Sequence, residues 1–148
     1  MDKVRGAIFN SLTSLGAIEG ASVVDLFAGT GAFGIEAMSR GAISVQFVEK
    51  SAKNAALIRE NLASTSLEAD VYVQDVLTFL QTPRFFDVAF VDPPYAFDSW
   101  SALLGVLHVQ LAVCESDRPI DPGNHWEVLR SKQYGGTHVT MLKKVEHA

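Results

Sequence analysis

Short runs of β-branched and other apolar residues alternate along this chain with segments of helical periodicity. The first run, residues 22–27, ends in a glycine-rich turn, and residues 32–40 then carry apolar side chains at helical spacing. The pairing recurs three times, at 44–48 with 52–62, 70–73 with 76–80, and 86–91 with 100–107. A repeated strand and crossover helix predicts a parallel sheet with right-handed connections and helices on both faces. The expected fold class is therefore α/β, with a doubly wound, mostly parallel sheet.

Two further segments frame this pattern. An amphipathic helix opens the chain, with apolar residues at helical spacing from Val4 to Leu15. A fifth predicted strand, residues 109–114, is followed by two strands within residues 127–143 that flank Gly135-Gly136. A glycine pair between strands is typical of a hairpin. We therefore expect a C-terminal antiparallel hairpin at or near one sheet edge, and a single domain over residues 1–148.

Composition and charge exclude several classes of protein. The 148 residues are 48% apolar and 20% charged, which is typical of one globular domain and not of a disordered chain. The single cysteine, Cys114, cannot form an internal disulfide, and neither a secretory signal nor a bilayer-spanning run is evident. We therefore expect a cytoplasmic protein that does not contact membranes. The net charge of −5 differs from the basic balance of most nucleic-acid-binding domains.

The first strand leads into a turn that contains three glycines. Gly29, Gly31 and Gly34 fit the G-x-G-x-x-G fingerprint of dinucleotide sites, with Glu49 20 positions after the first of them. The preceding Asp25 is not required by that fingerprint. Its carboxylate would repel a pyrophosphate and attract a sulfonium or an ammonium group. The turn therefore favours S-adenosylmethionine over NAD.

Acidic residues lie at or just after the ends of four predicted strands. They are Asp25, Glu49, Asp75 and Asp92. Because strands lie about 4.8 Å apart, Glu49 and Asp92 on either side of the first strand would be about 10 Å apart, too far to share a metal ion. A nucleoside lying across the sheet edge fits this spacing better. Glu49 would accept from both ribose hydroxyls, and Asp75 or its neighbouring backbone would meet the adenine edge.

The fourth strand is followed by Asp92-Pro93-Pro94-Tyr95. The two prolines end the strand and fix the backbone. The turn would present the Asp92 carboxylate and a backbone carbonyl as paired acceptors, with Tyr95 as a flat wall. Paired acceptors suit an exocyclic amine, and a flat ring suits a nucleobase that has left its stack.

Taken together, these motifs resemble those of class I S-adenosylmethionine-dependent methyltransferases. The D-P-P-Y turn is similar to that of the amino-methylating branch, which carries [N/D/S]-P-P-[Y/F/W]. The opening D-K-V-R-G-A-I-F-N-S-L, residues 2–12, and the glycine-rich segment, residues 26–41, are similar to the bacterial small-subunit ribosomal RNA guanine-N2 methyltransferase family. The resemblance covers residues 2–143. It implies methyl transfer to a guanine N2 amine of small-subunit (16S) ribosomal RNA, with no metal.

The resemblance also implies a role for each site residue. Catalysis would depend on Asp92, Pro93 and Tyr95, and the substrate would meet Arg5, Asn10, Pro94 and Tyr95. The cofactor would be bound by Asp25, Phe27, Ala28, Gly29, Thr30, Gly31, Glu49, Lys50, Asp75, Val76 and Asp92. The implied partner is ribosomal RNA within an assembled small-subunit particle, bound by a monomer.

Three other functions use similar residues. They are DNA adenine-N6 methylation, glutamine methylation of a protein by the N-P-P-Y branch, and S-adenosylmethionine binding without turnover. The family usually carries a basic segment ahead of the opening helix, and this sequence does not. We therefore expect a shortened member of the family, with weakened RNA docking and intact cofactor binding.

Overall fold

The computed structural model describes residues 2–146, which contain five helices and seven strands. The helices are α1 (Asp2–Ser14), α2 (Ala32–Ser39), α3 (Ala52–Ser64), α4 (Val76–Phe79) and α5 (Trp100–Val106). The strands are β1 (Ser22–Leu26), β2 (Ser44–Glu49), β3 (Asp70–Val73), β4 (Phe85–Val91), β5 (His108–Ser116), β6 (Trp126–Tyr134) and β7 (Thr137–Lys144). They form one mixed sheet in the order β3-β2-β1-β4-β5-β7-β6. The expected fold class is confirmed.

Both faces of the sheet are buried, because alternate residues of each central strand enter different cores. Val23 of β1 packs with side chains of α1, α2 and α3, including Ile8 and Ile58. Its neighbour Val24 packs on the opposite face with α4 and α5, including Leu103. Strands that are buried on both faces are apolar at nearly every position. This burial explains why the central strands are evident in the sequence as continuous apolar runs.

The order of the strands places a crevice at the carboxyl end of β1. The chain leaves β1 toward β2 on one side, and β4 returns to pair with β1 on the other side. In open α/β sheets a ligand binds where the strand order reverses in this way, beyond the carboxyl ends of the strands. The expected arrangement, with the second and fourth strands flanking the first, is confirmed.

The C-terminal hairpin is confirmed, and it lengthens one strand beyond the expected end. β7 runs antiparallel to β5 and pairs Glu115 with Val139 and Ser116 with His138. The partner strand therefore extends β5 past Cys114, where the apolar run ends. The expected role of Leu15 in the apolar stripe of α1 is wrong, because the helix ends at Ser14 and Leu15 is 56% exposed.

None of the helices within residues 2–146 is both long and apolar enough to cross a bilayer.

Helix α2 lies unusually close to β2 at Gly34. A Cβ at this position would lie 2.3 Å from a ring carbon of Phe47 and 2.9 Å from a methyl of Val45. Phe47 is fully buried, so its ring cannot move away without disturbing the core. The absence of a side chain at position 34 therefore sets the distance between the helix and the sheet.

We expect Gly34→Ala to lower the free energy of unfolding by about 1–3 kcal/mol through overpacking. Gly6→Ala is the matched control, because Gly6 is also helical and a Cβ there meets nothing within 4 Å. That control should be neutral or stabilising by about 0.5–1 kcal/mol. Urea unfolding of both variants measures the two effects. Equal stability of the two variants would contradict this account of the packing.

Candidate functional site

The turn after β1 has a strained backbone. Phe27 has a φ of 57°, in the left-handed region that non-glycine residues rarely occupy, and Gly29 and Gly31 follow with φ of 59° and 88°. Phe27 and Ala28 each make a contact that holds the turn. The Ala28 N–H donates to the carbonyl of Val48, and the Phe27 ring packs edge-on against Phe97 at 5.3 Å. Such strain persists only where the surrounding structure enforces it, and it is concentrated at ligand sites.

Glu49, at the end of β2, fixes this turn through both carboxylate oxygens. Oε1 accepts from the Gly29 N–H at 2.8 Å, and Oε2 accepts from the Ser51 N–H at 2.8 Å. A carboxylate has about four lone-pair positions, so each oxygen keeps one for a ligand hydroxyl. The proposed ribose contact is therefore compatible with this second role, which the sequence did not indicate.

Asp25 is buried in β1 and points toward the start of α2. Its Oδ2 accepts from the Gly34 N–H at 2.9 Å. Burial raises the pKa of Asp25 from its usual value near 3.8 to about 8, and the negative charges of Asp92 and Glu49 add to the shift. A cation next to this carboxyl would offset the cost of its ionisation. The position therefore suits a positively charged ligand.

Asp92 follows β4 directly and begins the D-P-P-Y turn. Pro93 is buried, whereas Tyr95 is 69% exposed with its ring open to solvent. The Phe97 N–H donates to the Pro94 carbonyl at 2.9 Å, which closes the turn. Because neither proline has an N–H, the turn presents acceptors and no donors at these two positions. This chemistry suits an amine or another donor-rich group.

Glu115 is a site residue that the sequence analysis missed. The register of β4 and β5 pairs Val91 with Cys114, so Asp92 and Glu115 are neighbours one residue further on. Their side chains are hydrogen-bonded to each other. Burial raises the pKa of Glu115 to about 8, and the adjacent Asp92 charge adds to this. The available signal was an acidic residue at the end of an apolar run, as at the other strand ends.

The acidic side chains at the carboxyl-terminal ends of β1, β2, β4 and β5, which we call the carboxyl edge, lie on one face of the sheet. Asp25 aligns with Phe47 and Phe90, which face α1, α2 and α3. Glu49, Asp92 and Glu115 each lie an even number of residues further along neighbouring strands. Side chains alternate along a strand, so all of them project from that face.

Partial burial of its carboxyl group also raises the pKa of Asp92, although the residue as a whole is exposed to solvent. Within the described part of the chain, no group of three potential ligands is arranged to hold a metal ion.

Four other predicted cofactor residues lie in the loops and helix starts that follow the strands. Asp75 caps α4 by accepting from the Thr78 N–H at 3.2 Å, and Val76 is buried behind it. Lys50 is exposed just after β2. Thr30 is exposed in the turn, and its carbonyl accepts from the Asn61 amide at 3.0 Å. Their contacts to a cofactor remain predictions.

The predicted substrate residues Arg5 and Asn10 both lie on α1. Phe9 of α1 packs on Phe90 near the carboxyl end of β4, with ring centroids 5.4 Å apart, whereas Leu15, just after the helix, lines a groove with Asp87 in the first half of that strand. The first turns of α1 therefore lie toward the carboxyl ends of the strands. Arg5 is half-buried near that end. Asn10 is exposed and lies about 7.5 Å further along the helix axis, away from the edge. Arg5 therefore lies nearer to the site than Asn10, and the substrate contacts of both residues remain predictions.

A separate groove of about 880 Å³ lies at the opposite end of the sheet, lined by Phe85, His108 and Lys144 among others. It contains neither the glycine-rich turn nor the D-P-P-Y turn. The chemistry therefore favours the carboxyl ends of the strands, and not this groove, as the site.

A family model described as Conserved hypothetical protein 95 matches residues 1–143. Ribosomal RNA small subunit methyltransferase D of Haemophilus influenzae is 32% identical, over 90% of this chain and 76% of that protein. The protein of the same name from Escherichia coli K12 is 31% identical, over 90% of this chain and 73% of its own length.

Solved structures of similar proteins have the same fold. A structure described as a candidate methyltransferase from Escherichia coli has a TM-score of 0.89 at 27% identity, covering 97% of this chain and 85% of that one. A conserved hypothetical protein of Streptococcus pyogenes has a TM-score of 0.83 at 32% identity, covering 95% of both chains.

We expect the free energy of unfolding to fall as the pH rises from about 4 to 8. Because the folded pKa of Asp25 lies above the unfolded value, the native state binds an additional proton throughout this window. Asp25→Asn keeps an acceptor for the Gly34 N–H and cannot ionise, so its unfolding free energy should depend less steeply on pH.

Urea unfolding at pH 5, 6, 7 and 8 measures this dependence. Glu60→Gln, which removes one exposed carboxylate from α3, controls for the change in net charge. Identical pH slopes for Asp25→Asn and the wild type would disprove the assignment.

Proposed function

The chain belongs to the family described as Conserved hypothetical protein 95, and from this premise we propose that it methylates the exocyclic N2 amine of a guanine in small-subunit (16S) ribosomal RNA. The curated relatives named above are rRNA small subunit methyltransferases, which supports an RNA methyltransferase. The structural observation that carries the proposal is the position of the D-P-P-Y turn. It directly follows the strand that pairs with β1, next to the strained glycine-rich turn.

The methyl donor in this proposal is S-adenosylmethionine. The residues at the site fit this molecule, because Asp25 is a buried carboxyl group that a sulfonium or ammonium group would stabilise in its ionised form. Glu49 holds the turn and keeps lone pairs for two ribose hydroxyls. Asp75, Val76 and the adjoining backbone would border the adenine. When bound, S-adenosylmethionine supplies an electrophilic methyl group.

In this mechanism the residues of the D-P-P-Y turn orient the substrate amine. The amine lone pair is delocalised into the guanine ring, which makes the nitrogen a poor nucleophile. The Asp92 carboxylate and the Pro93 carbonyl accept its two hydrogens and direct the lone pair toward the methyl group. Tyr95 stacks on the base. After transfer the amine releases one proton, which Asp92 or water accepts. Catalysis then depends mainly on positioning and electrostatic complementarity.

We propose that the chain acts in the cytoplasm, as a single domain and a single copy, on RNA within an assembled particle. The only cysteine in the sequence, Cys114, is a buried free thiol, which fits a reducing compartment. The net charge of −5 argues against a broad phosphate-binding face. DNA adenine methylation uses a similar turn, but the names of the relatives favour RNA.

The decisive experiment is transfer of radiolabelled methyl groups from S-adenosylmethionine to unmodified small-subunit particles, free ribosomal RNA and DNA. Digestion to nucleosides then identifies the product. We expect N2-methylguanosine from the ribosomal substrate. Label in N6-methyladenine of DNA would establish the alternative. Cofactor binding without label in any substrate would indicate a binding module.

We expect Asp92→Ala to lower kcat by at least about 100-fold, because the amine loses the charged acceptor that orients it. Asp92→Asn keeps an acceptor oxygen and should retain part of the activity. Affinity for S-adenosylmethionine, measured by calorimetry, should fall by no more than a few-fold in both variants, because the ten other predicted cofactor residues are unchanged. Full turnover by Asp92→Ala would refute the mechanism.

We expect the 148-residue chain to bind naked RNA weakly and to depend on the assembled particle. It has 12 basic and 17 acidic residues, and the site itself is lined with carboxyl groups that repel phosphates. A salt titration from 50 to 200 mM measures the number of phosphate contacts, at about 0.7–0.9 in log–log slope for each contact. Tight binding to free RNA with six or more contacts would contradict this.

A further inference from the structure

Glu115 lies beside Asp92 because of the pairing between β4 and β5. The last aligned pair is Val91 with Cys114, and the next residue on each strand carries a carboxyl group on the same face of the sheet. Glu115 is half-buried, and the two side chains are hydrogen-bonded. The pairing of β5 with β7 continues through Glu115 and Ser116, so the backbone of Glu115 is held in the sheet.

Two carboxyl groups at hydrogen-bond distance cannot both be ionised without strong repulsion. One proton is therefore shared between them, and the hydrogen bond requires one group as donor and the other as acceptor. Burial raises the pKa of both groups, but Glu115 is half-buried whereas Asp92 is exposed to solvent. Because burial disfavours the charged form of a carboxyl group, the proton stays on the less solvated Glu115, and Asp92 is the ionised partner.

We propose that Glu115 is a positioning residue, which in its protonated form donates a hydrogen bond to the Asp92 carboxylate and thereby holds Asp92 as an oriented, ionised acceptor for the substrate amine. One oxygen of Asp92 is then engaged inside the protein, and the other is left for the substrate. The pair carries one negative charge instead of two, which limits the electrostatic cost of placing it near Asp25.

This inference rests on the proposed function, because Asp92 has an amine to accept only if the chain methylates one. Its structural part does not depend on activity. The proton on Glu115 exists in the free protein whether or not a substrate is turned over. The test therefore has one arm that measures the proton and one arm that measures catalysis.

The first arm is carboxyl-carbon NMR of the wild-type protein at pH 7, with the Glu115 and Asp92 signals assigned from Glu115→Gln and Asp92→Asn. We expect the Glu115 carboxyl carbon at the chemical shift of a protonated acid and the Asp92 carbon at that of a carboxylate. Two ionised signals, or a proton on Asp92 instead, would overturn the proposal even if the protein methylates RNA normally.

The second arm compares Glu115→Ala with Glu115→Gln, whose side-chain amide can still donate to Asp92. We expect the alanine variant to lose about 10- to 100-fold in kcat, with KM and affinity for S-adenosylmethionine within about twofold of wild type. The glutamine variant should recover at least a third of the wild-type kcat. Glu127→Ala, an exposed strand glutamate outside the site, controls for the loss of a charge.

Thermal unfolding of each variant separates a folding defect from a positioning defect. Wild-type kcat in Glu115→Ala, or equal loss in the alanine and glutamine variants with intact folding, would refute the positioning role. A wild-type protein that methylates no substrate would instead refute the proposed function. In that case the NMR arm alone decides whether Glu115 donates a proton to Asp92.

Discussion

The carboxylate of Glu49 holds together the part of the molecule on which the site depends. It accepts from the amides of Gly29 and Ser51, so one side chain joins the end of β2 both to the turn after β1 and to the start of α3. Hydrogen bonds to a charged acceptor are worth about 1.5–3 kcal/mol each. Without these two hydrogen bonds, Phe27 would lose part of the surrounding structure that holds its backbone at a positive φ. The shape of the turn therefore follows from an acidic residue 20 positions later in the chain.

Much of the fold could be predicted because the central strands are buried on both faces. Continuous apolar runs mark β1, β2 and β4, and a glycine pair marks the hairpin between β6 and β7. The site was partly predictable for a related reason. Asp25, Glu49 and Asp92 stand at the ends of apolar strands, where a charged side chain is conspicuous, and a parallel sheet brings such ends to one edge.

The remaining features depend on contacts between residues that are distant in sequence. Glu115 became a partner of Asp92 only through the register of two strands whose paired residues, such as Val91 and Cys114, are 23 positions apart, and through the extension of β5 by β7. The positive φ of Phe27 is set by neighbours and not by its own preference. Similarly, no sequence pattern indicated that Asp25 and Glu49 accept from backbone amides before they meet any ligand.

The close approach of α2 to β2 has a consequence for how this protein can change in evolution. A methyl group at position 34 is destabilising while a phenylalanine occupies position 47, because a Cβ there would lie 2.3 Å from its ring. A smaller residue at position 47 alone leaves a cavity in the core, but it also relieves the overlap with a side chain at position 34. The two positions are therefore epistatic, because the cost of a substitution at one depends on the residue at the other. Residues in direct contact restrict each other's substitutions in this way, and here the restriction reaches the site, because the Gly34 N–H also donates to Asp25.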